Sequence, residues 1–137
     1  MAAGTTPIFT VTPNFGWGTT ALATANTAKD GTGTVLTCFT AGANGAFVQS
    51  IRFRPAGTNI ATVVRVFINN GSTNATAGNN ILRDEITASA ITLSEVAAVT
   101  NFELPLNITL PAGYKVNVTV GTTISAGLYC SVVGGDY

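Results

Sequence analysis

The sequence alternates between apolar and polar side chains over several short stretches, and this alternation restricts the fold more than any other feature. Between residues 114 and 120, four apolar side chains are interleaved with Lys115, Asn117 and Thr119. Successive side chains of a β-strand point to opposite sides, so a period of two predicts a strand with one buried and one polar face. This stretch is therefore predicted to be an amphipathic strand.

Residues 47–54 show the same period, which predicts that Phe47, Ile51 and Phe53 share one face of a strand. The opposite face then carries Val48, Ser50, Arg52 and Arg54. Residues 62–68 are almost continuously apolar and predict a more completely buried strand. Further strands are predicted at about 34–40, 80–87, 101–108 and 128–132, which makes seven or eight in total. Pro105 places its strand at a sheet edge or a bulge.

Strands at this spacing, without helical crossovers between them, predict an all-β fold. At most one or two helical turns are expected, over residues 92–98. We expect an antiparallel β-sandwich that is jelly-roll-like, with an immunoglobulin-like topology as the alternative. The separation of Cys38 and Cys130 is longer than that of the usual immunoglobulin pair, and Trp17 precedes both cysteines. These two features favour the jelly roll.

The first 32 residues differ from the rest because they contain few bulky apolar side chains. We expect an extended N-terminal arm over residues 1–32 and a single β-sandwich domain over residues 33–137. The arm nevertheless carries Phe9, Phe15 and Trp17. These aromatic side chains are expected either to pack on the domain's own core or to dock onto a neighbouring chain, and the sequence leaves both possibilities open.

The charge composition excludes several functions. The chain of 137 residues has six basic and six acidic residues, a net charge of zero and no histidine. A nucleic-acid-binding protein needs a basic face, so no nucleic-acid partner is expected. Without histidine the chain lacks the commonest general base and the commonest metal ligand. No paired carboxylates, nucleophile with its base, or phosphate-binding loop is recognisable, so we expect no enzymatic activity, no catalytic residues, no cofactor and no metal.

The N-terminus has neither the basic residues nor the apolar run of a signal peptide, and no stretch approaches 18 uncharged apolar residues. We therefore expect synthesis in a cytoplasm and no membrane partner. Cys38 and Cys130 each lie in an apolar strand-like run and are expected to be buried free thiols, with a disulfide between them as the alternative.

Three arginines could form a surface patch if strands 47–54 and 62–69 pair as a hairpin. Arg52, Arg54 and Arg65 would then lie on one polar face. This face is either simply solvated or makes bidentate contacts with carboxylates of another subunit, since the guanidinium group suits interface ion pairs.

Several turn-and-strand motifs resemble those of small virion proteins of tailed bacteriophages. They are the runs 47–53 (FVQSIRF), 110–116 (LPAGYKV), 121–123 (GTT), 126–127 (AG) and 133–137 (VGGDY). The resemblance extends from about residue 33 to the end and is closest to capsid decoration (cement) proteins. It implies a small β domain, often a trimer, that sits on the outer shell where capsomers meet.

From this resemblance we expect a homotrimeric capsid decoration protein that binds the major capsid protein on the outer surface of the virion and is made in the cytoplasm of a bacterial host. The candidate capsid contacts are Phe9, Phe15, Trp17, Arg52, Arg54 and Arg65. The alternatives are a phage tail or fibre component, a receptor- or glycan-binding β module, and a host-encoded interaction domain. A glycan-binding module would use an aromatic platform drawn from Trp17, Tyr114, Tyr129 and Tyr137.

Overall fold

A computed structural model describes residues 9–137, which form eight β-strands and one short 3₁₀ turn at Ala77–Asn79. No α-helix occurs in this part of the chain, and the predicted turns at 92–98 form only bends. The strands are β1 (Thr12–Trp17), β2 (Leu36–Thr40), β3 (Ala46–Pro55), β4 (Thr62–Asn69), β5 (Asn80–Ala88), β6 (Phe102–Leu110), β7 (Lys115–Val120) and β8 (Leu128–Asp136). The predicted all-β class and the upper strand count are confirmed.

The strands form two antiparallel sheets of four strands each. The first sheet has the order β1-β8-β3-β6, and the second has the order β2-β7-β4-β5. Tight reversals precede β3 and follow β4, where Gly45 and Gly71 adopt positive φ angles of 88° and 89°. Both glycines belong to Asn-Gly pairs, which favour such turns because glycine has no Cβ to clash there.

One hydrophobic core contains side chains from both sheets. Val48, Ile51 and Phe53 come from β3 of the first sheet, and Val64 and Val66 come from β4 of the second; all five are completely buried. Burying a side chain of this kind contributes about 1.5–3 kcal/mol relative to leaving it exposed. The alternating apolar positions of the sequence therefore supply the side chains that join the two sheets.

The predicted faces of β3 were wrong at one end. Val48 is buried in the core, whereas Phe47 is only half-buried and lies on the opposite side from Ile51. The cause is a β-bulge between Val48 and Ser50, where the register shifts against both neighbouring strands. One extra residue reverses the parity of the strand, so a strict period of two fails across it.

Pro105 lies in β6, which is an edge strand of the first sheet, and it sits next to the same register shift. Its predicted place at an edge or bulge is confirmed. The bulge also holds Asn107 at a φ of 49°, the one non-glycine residue with positive φ in the described chain. Asparagine tolerates this conformation better than most residues.

Much of the segment expected to be an arm is part of the folded domain. Residues 12–17 form β1, and each of them pairs with β8. Leu22 is 6% exposed, belongs to the core and forms a bridge with Leu128. Residues 1–8 of the expected arm lie outside the described residues. A domain boundary at residue 33 would therefore assign β1 and β8, which are hydrogen-bonded to each other, to different parts of the chain.

Residues 26–34 form a strap that is tied to both ends of the second sheet. Asn26 N donates to Val120 O at the end of β7, and Asn74 Nδ2 donates to the carbonyl oxygens of Gly31 and Gly33. A Cβ atom at Gly31 would lie 2.5 Å from the Cβ of Asn80, at the start of β5. Val120 and Asn80 lie at opposite ends of the sheet, so the strap extends from one end of the sheet to the other.

Candidate interaction surface

In β1 the large apolar side chains point outward, whereas an ordinary amphipathic strand buries them. Gly16 faces β2 so closely that a Cβ atom there would overlap the carbonyl oxygen of Cys38. Only glycine fits on this inner side, and strand parity then turns Phe15 and Trp17 to the outside. Phe15 is 57% exposed and Trp17 is 62% exposed. Their ring centroids are 5.8 Å apart, so the two rings form one aromatic cluster.

A row of side chains, one from each of the four strands of the first sheet, begins at Trp17 of this cluster. Trp17 is paired with Ser131 in β8, Ser131 with Arg52 in β3, and Arg52 with Glu103 in β6. These residues face outward together because residues directly opposite each other in a sheet lie on the same side. The register therefore brings the expected aromatic and arginine contacts onto one surface.

The charged end of this row is an exposed ion pair. Arg52 Nε and Nη2 lie 3.0 Å and 2.9 Å from the same oxygen of Glu103. These hydrogen bonds, followed by one from Ser50, lower the pKa of Glu103 from its usual value. Arg54 lies beside it and donates to Asn101 Oδ1 at 2.9 Å. Neither arginine is buried, so both guanidinium groups remain accessible to a partner.

We call this outer surface of the first sheet the open face. Its members are Phe15, Trp17, Arg52, Arg54, Glu103, Tyr129 and Val133. A shallow recess of about 270 Å³ lies within it, lined by residues that include Phe15, Arg52 and Glu103. Exposed aromatic rings next to charged and hydroxyl groups are typical of surfaces that bind another molecule.

Arg65 does not belong to this surface, and the expected arginine patch was wrong on this point. Strand β3 pairs with β6 and β8, whereas β4 belongs to the other sheet, so the hairpin on which the patch depended is not formed. Arg65 is 9% exposed, and its Nε lies 3.0 Å from Glu85 Oε2. Its Nη1 is buried and has no hydrogen-bond partner among the described residues. Arg65 is therefore a nearly buried residue of the second sheet, paired with Glu85 of β5.

The remaining aromatic candidates are distributed unevenly. Phe9 is 73% exposed and precedes β1, outside the strands. Tyr129 is 58% exposed and lies on the open face, opposite Arg54. Tyr114 and Tyr137 are half-buried, and Tyr114 packs against the core. Of the four residues considered for a glycan platform, Trp17 and Tyr129 share the open face.

Sequence reasoning missed Glu103 and Val133, which complete the open face. It had a usable signal in the run Phe15-Gly16-Trp17-Gly18, in which aromatic residues alternate with glycine. Such a run places the large side chains on one side of a strand and leaves the other side free for close approach of a neighbouring backbone. Nothing local in the sequence indicates that Glu103 lies opposite Arg52, since this follows from the long-range pairing of β3 with β6.

The two thiols lie in the core. Cys38 in β2 and Cys130 in β8 are both buried and free, which agrees with the favoured prediction. A hydrogen bond with Cys38, followed by burial, raises the pKa of Cys130 well above its ordinary value. A buried thiol with a raised pKa is a poor nucleophile because the reactive form is the thiolate.

Within residues 9–137, no group of three or more histidine, cysteine, aspartate or glutamate side chains is arranged to hold a metal ion. Over the same residues, no helix has the length and apolar character needed to cross a membrane. Comparison with protein-family models, with curated proteins and with solved structures found no match.

Proposed function

We propose that the two sheets pack as a β-sandwich of the jelly-roll type. Four antiparallel pairings support this, namely β1 with β8, β2 with β7, β3 with β6, and β4 with β5. In these pairings strands β1–β4 run side by side with strands β8–β5, and the β4–β5 connection joins the two halves. Winding these paired halves also places β3 beside β8 and β4 beside β7, as observed. An immunoglobulin-like order is less consistent with these pairings, because β1 and β2 lie in different sheets.

We further propose that the protein is a capsid decoration protein of a tailed bacteriophage, attached to the major capsid protein on the outer surface of the virion. The observation that carries this proposal is the open face. It combines the exposed rings of Phe15 and Trp17 with the accessible guanidinium groups of Arg52 and Arg54. Rigid aromatic anchors surrounded by polar groups are the usual source of interface energy.

Symmetric assembly would strengthen attachment to a repeating shell. We propose a homotrimer, in which each subunit presents one open face to the capsid. A closed ring leaves no unpaired interface that could extend into fibres. Three linked contacts hold far more tightly than one, since the second and third are formed at high effective concentration. The bacterial cytoplasm is the proposed place of synthesis.

The test is co-sedimentation of the purified protein with capsids that lack it. Serine at both Phe15 and Trp17 removes the exposed rings, and we expect the affinity for shells to fall at least tenfold, as is typical when hot-spot residues are truncated. The matched control places serine at Ile81 and Val96, which are 64% and 97% exposed and lie elsewhere. Equal binding by both double variants would remove the open face from the proposed attachment.

A second candidate function is glycan binding, and the shared location of Trp17 and Tyr129 favours it. Flat aromatic rings next to hydrogen-bonding groups suit the two kinds of surface on a sugar ring. Trp17 is the only tryptophan of the chain, so its fluorescence reports directly on this surface. Saturable quenching by neutral oligosaccharides, together with a failure to sediment with shells, would favour this function over the first.

A further inference from the structure

A polar recess on the second sheet has the properties of a ligand site, and it is separate from the open face. It has a volume of about 170 Å³ and lies between β2, β7 and the loop that follows β4. Its lining includes Thr37, Asn69, Ser72, Lys115 and Asn117. The outward-facing side chains of this sheet point away from the core, so the recess and the open face lie on opposite sides of the domain.

Asn117 is the central observation, because it is 3% exposed and yet incompletely hydrogen-bonded. Its Oδ1 accepts a hydrogen bond of 2.7 Å from Thr37 Oγ1. Asn117 lines the recess, and its amide nitrogen donates to none of the described residues. The side-chain atoms that are buried without a partner are Arg65 Nη1 and Thr119 Oγ1, so the Asn117 amide nitrogen is not sealed off and its hydrogens are free to bind an acceptor in the recess.

Lys115 supplies a positive charge to the same recess. It precedes Asn117 by two residues in β7, so both side chains lie on the same side of the strand. Lys115 makes no ion pair with the described residues. None of the described lining residues is acidic, and Asn69 is held in place by hydrogen bonds to Asn80 and Gly71. The recess therefore presents donors and one cation without a compensating anion.

We propose that this recess binds a carboxylate group. An ionised carboxylate accepts hydrogen bonds at both oxygens, so it can satisfy the Asn117 amide and the Lys115 ammonium group together. The hydroxyl of Ser72 and the neighbouring amide groups suit a carboxylate that is carried by a hydroxylated molecule such as a sugar acid. The proposal is independent of capsid attachment, because it uses other residues on the other sheet.

The experiment is a titration followed by NMR of the backbone amides and the Asn117 side-chain amide. The ligands are acetate, D-glucuronate and D-glucose, each compared with chloride at matched ionic strength. We expect saturable shifts at Lys115 and Asn117 with both carboxylates and none with glucose. Tighter binding of glucuronate than of acetate would identify a sugar acid as the source of the carboxylate, and equal binding would identify the carboxylate alone.

Two variants and one control make the titration decisive. Lys115→Gln removes the charge at a half-buried position, and Asn117→Asp keeps the acceptor for Thr37 while replacing the donor with a second oxygen. We expect at least tenfold weaker binding for each variant. Arg83→Gln removes one positive charge at an exposed position in β5 outside the recess and should bind like the original chain.

If Asn117→Asp does not fold, Lys115→Gln decides the test alone. No saturation up to 50 mM (about 2 kcal/mol of binding free energy), or equal shifts with glucose or chloride, would overturn the proposal.

Discussion

The outer faces of the two sheets differ in the side chains that they carry and in what covers them. On the open face, Phe15 and Trp17 are more than half exposed. On the outer face of the second sheet, Phe67, Asn117 and Thr119 are 0%, 3% and 1% exposed. The second face carries many polar side chains but is buried, whereas the first carries aromatic rings but is open. The polarity of a strand face therefore does not determine its exposure.

We attribute the difference to segments such as the strap at residues 26–34, which is tied to both ends of the second sheet. The chain itself covers the second sheet, and the hydrogen bonds of Asn26 and Asn74 hold the cover in place. No segment of the described chain covers Phe15 and Trp17 in the same way. An exposed apolar cluster of this kind is typical of a surface that another molecule covers. The outer face of the second sheet is thus covered by the chain itself, whereas the open face is available to a partner.

The largest expected effect concerns the segment that joins the two faces. A chain that begins at residue 29 lacks β1, the buried Leu22 and the Asn26 anchor of the strap. If residues 1–32 were a separate arm, as the sequence predicts, this shortened chain would still fold. The structure leads us to expect the loss of cooperative folding, because one sheet loses a strand and the other loses the start of its cover.

Thermal unfolding followed by circular dichroism would measure this effect. The Phe15→Ser, Trp17→Ser double variant is the control, since it removes the exposed rings but leaves β1 in place. A sharp transition of the shortened chain at the original temperature would restore the interpretation of residues 1–32 as a separate arm.

The second expected effect compares two phenylalanines on outer faces. Phe67 is completely buried beneath the second sheet's cover, so Phe67→Ala should cost about 3–5 kcal/mol of unfolding free energy. Phe15 lies on the open face, so Phe15→Ala should change the same quantity by less than about 0.5 kcal/mol. Denaturant titration of both variants measures the contrast. Similar losses for the two variants would mean that the faces are not covered differently.

These contrasts show which features the sequence could predict. The apolar run of β4 and the alternation of β7 predicted both strands well, because their inward valines are buried whatever lies outside the sheet. The same alternation predicted a polar outer face that includes Asn117 and Thr119, but both are buried. Alternation within one strand carries no information on what packs against it, and the loop at residues 71–74, distant in sequence, lines the same recess as Asn117. Alternation also failed at Phe47, where the bulge reverses the strand parity.

The candidate surface was predicted in part for the same reason. Phe15 and Trp17 were named from residue type, and Arg52 and Arg54 were named from the period of two over residues 47–54. All four share the open face. Arg65 was added only by assuming that consecutive strands pair, and β4 lies in the other sheet. Residue type can be read directly, but the assignment of strands to sheets depends on pairings between distant parts of the chain.

A smaller effect is expected in the core between the two faces. The contact with Cys38 and burial raise the pKa of Cys130 above the 9.0 of an ordinary thiol. Because the unfolded chain ionises first, stability is fully present below about pH 9 and falls as the pH rises above it, by at most about 1.4 kcal/mol per pH unit. Denaturant titrations between pH 7 and pH 10.5 measure this slope.

Cys130→Ala is the control for this slope, since it removes the thiol with the raised pKa, and its alkaline loss of stability should be smaller. Thiol titration gives an independent check. Neither cysteine should react in the native protein and both should react after unfolding. Rapid labelling of the native protein would contradict the burial, and an absence of labelling after unfolding would indicate a disulfide.

The smallest expected effect lies on the open face itself. Arg52 lowers the pKa of Glu103, and Arg52→Gln should therefore raise that pKa towards its ordinary value. A lowered carboxyl pKa contributes stability that is present above the unfolded pKa and is lost as the pH falls through the folded one. Both side chains are exposed to solvent, which screens the pair, so the free energy of unfolding at neutral pH should hardly change. A carbon-13 NMR titration of the Glu103 carboxyl group measures the shift, with Arg83→Gln as the control for a general loss of positive charge. An unchanged Glu103 pKa in Arg52→Gln would mean that the ion pair does not persist in solution, and that the open face offers a free carboxylate as well as free guanidinium groups to its partner.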